Sequence, residues 1–121
     1  MLLTTARDGI QKHRGALLEG SASSPSYISE HTYRLAQYIA LAEDALSELE
    51  ASLAKKESDS FAKYITQGKS PNAAKELLRR DFIDEKSEIS KVTRLISSGW
   101  KLVSENQSRV KHLIAEATNQ I

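Results

Sequence analysis

The apolar residues of this chain are mirrored about one short segment, Gly68–Pro71. Residues whose numbers sum to 138 pair apolar with apolar over a long stretch. The pairs include Phe61 with Leu77, Leu49 with Ile89, Leu46 with Val92, Ala42 with Ile96 and Leu35 with Val103. Because apolar residues three and four apart share one helix face, the mirror predicts two long antiparallel helices joined by a tight turn.

Local signals divide the chain into three predicted segments. Residues 1–19 should form a short N-terminal helix that begins near Thr5, since Thr5 and Asp8 resemble a capping box. Residues 20–26 are rich in Ser with one Gly and one Pro, which predicts a flexible linker. Residues 27–121 should form the helical hairpin.

The turn of the hairpin is predicted at residues 67–71. Gly68 can adopt the left-handed backbone that ends a helix. Ser70 is a natural N-cap, and Pro71 suits the first helical position, where a missing N–H costs nothing. Stop and start signals therefore lie next to each other.

The helix before the turn should carry a narrow apolar seam with alternating spacings of four and three residues. That seam consists of Leu35, Ile39, Ala42, Leu46, Leu49 and Leu53. This heptad spacing is typical of coiled-coil pairing. The seam then reaches Lys56 and Ser60, where we expect the helix to fray, bend or break. The helix after the turn should run unbroken from Pro71 to Asn119, with a bend near Gly99.

The predicted fold class is all-α: a long, coiled-coil-like antiparallel hairpin with a short N-terminal helix. A two-helix hairpin buries too little surface alone, so we expect two chains to assemble as a dimeric helical bundle. In the mirrored register Asp44 falls beside Arg94 and Glu48 near Lys91, which predicts two ion pairs that disfavour other registers.

Composition excludes several kinds of protein. The net charge is +1, so the overall charge does not favour nucleic acid or a membrane surface. The chain has no cysteine, which excludes disulfides and thiolate metal sites. It contains no apolar run typical of a signal peptide or a membrane span. We therefore expect a cytoplasmic protein with no membrane partner.

The side chains that perform catalysis are not arranged in a recognisable motif. Histidines occur at 13, 31 and 112, without a convincing metal-ligand spacing, and His13 would meet His112 if the first helix docked on the C-terminal end. The acidic groups Asp81–Glu85 and Glu43–Asp44 alternate with basic residues, as on a solvated helix face. We expect no catalytic residue, no metal and no cofactor. A narrow helical rod also lacks a concave site, so an enzyme is the least favoured class.

Two charged groups of residues are candidate contact sites. The basic cluster gathers around the predicted turn and consists of Lys63, Lys69, Lys75, Arg79 and Arg80. Basic residues near aromatic ones can hold single-stranded nucleic acid, although solubilising surface charge explains the same pattern. The acidic face lies on the helix before the turn and consists of Glu43, Asp44, Glu48 and Glu50. It is a candidate contact for a partner protein or a second copy.

Trp100 is the single tryptophan and lies in the middle of the last predicted helix. Burial in the hairpin or in a dimer core is the favoured interpretation. If Trp100 is exposed, it becomes a candidate hot spot for a partner.

Three stretches of the C-terminal half are the capped helix start Gly68–Ala74, the mid-helix pair Trp100–Lys101 and the basic tail around Arg109–Val110. In these stretches the chain resembles small helical bacteriophage proteins encoded in early regions, near recombination and single-strand annealing genes. The resemblance implies a phage accessory role in the host cytoplasm, and such proteins include inhibitors of host defence. It carries no functional residue to this chain.

The function expected from the sequence is that of a non-enzymatic helical interaction protein, a phage accessory factor that binds a recombination or replication protein. One alternative is an inhibitor of a host nuclease or defence protein, acting through the acidic face. Another is a protein that binds single-stranded nucleic acid directly through the basic cluster.

Overall fold

The computed structural model of the protein describes residues 2–19 and 24–119, and these form helices without any strand. The four helices are α1 (Leu2–Glu19), α2 (Pro25–Thr66), α3 (Pro71–Asp81) and α4 (Ile83–Asn119). The predicted all-α class is confirmed. The full-length antiparallel hairpin and the dimer stay predictions.

The first two helices begin earlier than the sequence predicted. α1 already includes Leu2, so Thr5 lies inside the helix and is not its N-cap. α2 begins at Pro25, after a cap that the prediction missed. The Ser24 hydroxyl accepts the Tyr27 N–H at 3.3 Å, and the Ser24 carbonyl accepts the Ile28 N–H at 3.1 Å. Of the predicted linker, residues 20–23 lie outside the described residues.

The turn between α2 and α3 follows the predicted chemistry. Gly68 has a φ of 88°, the left-handed backbone that glycine adopts without steric cost. The Ser70 hydroxyl accepts the Ala73 N–H at 3.2 Å, and Pro71 occupies the start of α3. These contacts satisfy backbone groups that a helix end leaves unpaired.

Two expectations about helix continuity are wrong. α2 is helical through Lys56 and Ser60 and does not break there; Lys56 is exposed, and the adjacent Glu57 forms an ion pair. The helix after the turn is not continuous, since α3 ends at Asp81 and α4 begins at Ile83. The intervening Phe82 has φ −116° and ψ 20°. Beside this break the Tyr64 hydroxyl donates to the Asp81 carboxylate, a tertiary contact absent from any heptad pattern.

The chain divides into two compact units. Unit 1 comprises Met1–Ala45 and Arg94–Ile121, and unit 2 comprises Leu46–Thr93. Among the described residues, ten of the thirteen buried apolar side chains belong to unit 1 and three to unit 2. Because buried apolar area drives folding, unit 2 has the thinner core of the two.

The core of unit 1 forms where α1, α2 and α4 meet. Gly9 of α1 lies under the ring of Tyr38, where an added Cβ would overlap the ring atoms. On α4, a Cβ at Gly99 would approach Ile39 Cδ1 to 2.7 Å, so Gly99 permits close packing of α4 against α2. The numbers of Ile39 and Gly99 sum to 138, so this contact falls in the predicted register.

Two polar side chains of the unit 1 core satisfy their hydrogen bonds within their own helices. The Thr32 hydroxyl donates to the Ile28 carbonyl at 2.6 Å, and Asn106 Nδ2 donates to the Leu102 carbonyl at 2.8 Å. Both residues are only 5% exposed. Their pairing removes the penalty of a buried, unbonded polar group.

The core of unit 2 rests on Leu53, Ala74 and Val92. The two ion pairs predicted for the mirrored register do not form among the described residues. An ion pair between α2 and α4 within this unit joins Glu57 Oε2 to Lys86 Nζ at 3.7 Å. Both side chains are long and solvated, so the register of the apolar residues does not determine which charged residues pair.

Candidate functional site

An open groove in unit 2 has an apolar floor made by α2 and α4. Leu49 and Leu53 are one helical turn apart on α2, and Ile89 faces them from α4. The groove encloses about 290 Å³. Leu49 is 37% exposed although it belongs to the predicted seam, whereas Leu53 is 8% exposed. The floor therefore presents leucine and isoleucine surface to the solvent.

The two rims of this groove differ in charge. The α2 rim carries Ser52 and Lys56, and the α4 rim carries Asp84, Glu85 and Glu88. Lys56, Asp84 and Glu85 are exposed, and Glu88 is half-buried. The groove thus combines an apolar floor with one predominantly negative edge. We call these residues, with the floor, the unit 2 groove.

On sequence grounds, Asp84 and Glu85 belong to a solvated helix face that has no predicted connection with Leu49. One signal was available: the seam changes from leucine to Lys56 at the end of the groove. A polar residue in a heptad seam can mark where a helix pair stops being closely packed. The pattern could not assign Glu88 to the groove, because the helix break at Phe82 sets how α4 begins.

The basic cluster is brought together only in part. Lys69, Arg79 and Arg80 line one shallow depression with Leu77 and Glu76. Arg79 is paired with Glu76, at 3.1 Å between Nη2 and Oε1. The other two members, at positions 63 and 75, are exposed but do not line this depression. The acidic partner reduces the positive field that the residue count suggested.

A phenol lies close to the basic cluster, at the end of α2. The hydrogen bond that Tyr64 donates to Asp81 raises the pKa of the Tyr64 phenol above its ordinary value of 10.0. Desolvation and the charge of the carboxylate act in the same direction. Tyr64 is therefore a hydrogen-bond donor that joins α2 to the end of α3, and it has no tendency to ionise near neutral pH.

Trp100 and the acidic face are both accessible. Trp100 is 39% exposed, so it is not buried within the single chain, and its burial in a dimer core stays a prediction. All four residues of the acidic face are exposed. Glu43 and Asp44 belong to unit 1, whereas Glu48 and Glu50 belong to unit 2.

His13 contacts His31, whereas the contact considered on sequence grounds, conditional on docking of the first helix at the C-terminal end, was with His112. The Nδ1 atoms of His13 and His31 lie 2.8 Å apart, and the His13 ring also stacks on Tyr38 at a centroid distance of 5.6 Å. Burial and the nearby His31 lower the pKa of His13, with Lys12 and Arg34 adding to the effect and Glu30 opposing it. His112 instead pairs with Glu116, one turn on, at 3.1 Å.

Within residues 2–19 and 24–119, no three His, Asp or Glu side chains converge as a metal site would require. None of the helices in these ranges combines the length and the apolar character needed to cross a membrane. Comparison of the chain with protein-family models, curated proteins and solved structures gave no match.

Proposed function

We propose that this protein is a non-enzymatic helical interaction protein that binds a helix of a partner protein in the unit 2 groove. One observation carries the proposal: Leu49, a residue of the heptad seam, is 37% exposed on the floor of an open apolar groove. Leucines at heptad positions pack well against another helix. A helix laid in the groove would bury Leu49 and Ile89 together.

The thin core of unit 2 supports the same conclusion. Unit 1 packs three helices around its buried residues, whereas unit 2 has three buried apolar side chains among those described. An added helix would give unit 2 the apolar burial that it lacks, and this burial would contribute to the affinity. The side chains that line the groove are leucine, isoleucine, serine and surface charges, which suit binding.

The resemblance to phage early-region proteins defines the partner class that we propose, a recombination or replication protein. The alternative partner is a host nuclease or defence protein that contacts the acidic face. In either case the protein would act in the cytoplasm by occupying a surface of its partner.

We also propose that α2 pairs with α3 and α4 as one antiparallel, coiled-coil-like hairpin, and that two chains form a dimer. Light scattering at micromolar concentration tests the dimer. A mass of twice the 13.4 kDa chain supports it, and a mass of 13.4 kDa refutes it. Pairs of spin labels on α2 and α4, at positions whose numbers sum to 138, test the hairpin through their distances.

The groove is tested with a labelled, designed amphipathic peptide that has a leucine face and uncharged polar residues. Fluorescence anisotropy should detect binding to the wild-type protein and a loss of binding in Leu49→Asp. Ile65→Asp is the matched control, because Ile65 is 40% exposed on the same helix and lies outside the groove. Equal binding by both variants, or no binding by the wild-type protein, would refute the groove as the contact site.

The partner class is tested by capture from host lysate with mass spectrometry. A recombination or replication protein retained by the wild-type protein and by Ile65→Asp, but lost from Leu49→Asp, supports the proposal. A nuclease or defence protein that depends instead on Glu48 and Glu50 supports the inhibitor alternative.

A second candidate function is the binding of single-stranded nucleic acid, favoured by the convergence of Lys69, Arg79 and Arg80 on one depression. Such binding should weaken steeply with salt, because phosphate contacts release counterions. Anisotropy of a labelled single-stranded oligonucleotide at low and moderate salt measures this. Lys69→Glu should abolish the signal and Lys55→Glu, an exposed control on α2, should not. Absence of binding at low salt refutes this candidate.

A further inference from the structure

We infer that the partner helix of the unit 2 groove is basic along the edge that faces α4. This inference rests on the proposed function and adds the chemistry of the partner. The α4 rim carries Asp84, Glu85 and Glu88, and the opposite rim carries a single charge, Lys56. A helix with lysine or arginine along one edge places positive charge beside the carboxylates, whereas acidic residues there would be repelled.

The spacing of the rim defines the register of the partner. Asp84 and Glu88 are four residues apart on α4, so they are separated by about 6 Å along its axis. A partner helix that lies along the groove matches this with basic residues at positions i and i+4. Its other edge, beside Lys56, should be uncharged or acidic. From Leu49 to Lys56 the groove extends about 10 Å along α2, or two helical turns of contact.

The first-turn position of Asp84 and Glu85 on α4 has a structural role of its own. Negative side chains there favour the positive end of the helix dipole. That role leaves both carboxylates exposed at the groove. Both interactions hold together, because the dipole acts along the helix axis while a ligand would approach from the side.

The first test of the inferred basic partner changes the charge of the peptide and keeps the protein wild-type. Three labelled amphipathic peptides share one leucine face and carry basic, uncharged or acidic residues at i and i+4 along one edge. With the full-length protein at low salt, anisotropy should show the tightest binding for the basic peptide, weaker binding for the uncharged peptide and the weakest for the acidic peptide. We expect about a tenfold range in Kd that narrows at high salt, since surface charges are screened. This design leaves the folding of the protein untouched.

Variants of the protein then identify which carboxylates produce the preference for the basic peptide. The double variant Asp84→Asn, Glu85→Gln should weaken the binding of the basic peptide several-fold and leave the binding of the uncharged peptide unchanged. Asp59→Asn with Glu105→Gln removes the same charge at exposed positions outside the groove and the acidic face and should preserve the preference. Circular dichroism of each variant verifies that the helix content is retained.

The outcomes separate this inference from the proposed function. If all three peptides bind equally, or the acidic one binds best, the groove still binds helices but the inferred basic partner is wrong. If the control variant loses the preference as fully as the rim variant does, the overall charge is responsible and the inference is again wrong. If no peptide binds, both the inference and the proposed function fail.

Discussion

Replacing Gly15 by alanine should stabilise unit 1, whereas replacing Gly9 by alanine should be neutral or destabilising. Both glycines lie in the interior of α1, so sequence reasoning assigns each the same helix penalty, about 1 kcal/mol relative to alanine. The structure separates them. A Cβ at Gly15 meets nothing within 4 Å, whereas a Cβ at Gly9 would overlap the ring of Tyr38.

The magnitude follows from these surroundings. Gly15→Ala should raise the free energy of unfolding by about 1 kcal/mol, because the added methyl group improves helix propensity and touches nothing else. Gly9→Ala gains the same amount but overfills a packed contact, which typically costs about 1–3 kcal/mol. Tyr38 cannot move aside freely, because its ring stacks on His13. The difference between the two variants isolates the packing cost, since the propensity cancels.

The assay is thermal unfolding followed by the fluorescence of Trp100, which is the single tryptophan and belongs to unit 1. At about 4 °C per kcal/mol, the midpoints of the two variants should differ by roughly 4–12 °C, with Gly9→Ala lower. In a Tyr38→Ala background, Gly9→Ala should become stabilising, which a double-mutant cycle measures as coupling. If both variants raise the midpoint equally in the native background, the docking of α1 described above is wrong.

Three further perturbations test other parts of the structure. Lowering the pH should destabilise unit 1, because burial and His31 lower the pKa of His13 below its ordinary 6.5 and the unfolded chain therefore takes up the proton first. In fluorescence-monitored urea titrations the free energy of unfolding should be highest above pH 6.5 and decrease as the pH falls from 6.5 towards the folded-state pKa of His13. His13→Leu should reduce this dependence, and a dependence unchanged in His13→Leu would contradict the cause. Ser70→Ala should cost about 1 kcal/mol by removing the cap of α3, measured by circular dichroism in urea, with the exposed Ser58→Ala as control. Leu53→Ala should cost about 2–4 kcal/mol in the same assay, since Leu53 is buried on the groove floor, whereas a cost equal to that of the exposed Ile65→Ala would show that unit 2 does not pack as described.

The turn was the most predictable part of the fold because its signals are local. Gly68 ends α2 and Ser70 caps α3 through backbone geometry that a few adjacent residues determine. The break at Phe82 was not predictable in this way. It lies beside a hydrogen bond between Tyr64 and Asp81, seventeen residues apart, which no local pattern encodes.

The candidate sites follow the same division. Clustering of basic residues near the turn was predictable from their positions in the chain, and three of them do line one depression. The pairing of Arg79 with Glu76 was within reach of an i, i+3 argument. The unit 2 groove was not predictable, because it depends on which seam residues the facing helix leaves uncovered. The heptad pattern treats Leu49 and Leu53 alike, yet only Leu53 is buried.

From its residues alone this chain is helical, with a fixed turn at Gly68–Pro71, because propensity, capping and apolar spacing act over a few residues. Tertiary structure decided the division into two units, the contact of His13 with His31 and the different roles of Gly9 and Gly15. It also decided where leucine stays exposed. Those features depend on the distances and angles between helices, which arise from side-chain packing over the whole chain and have no signature in any single segment.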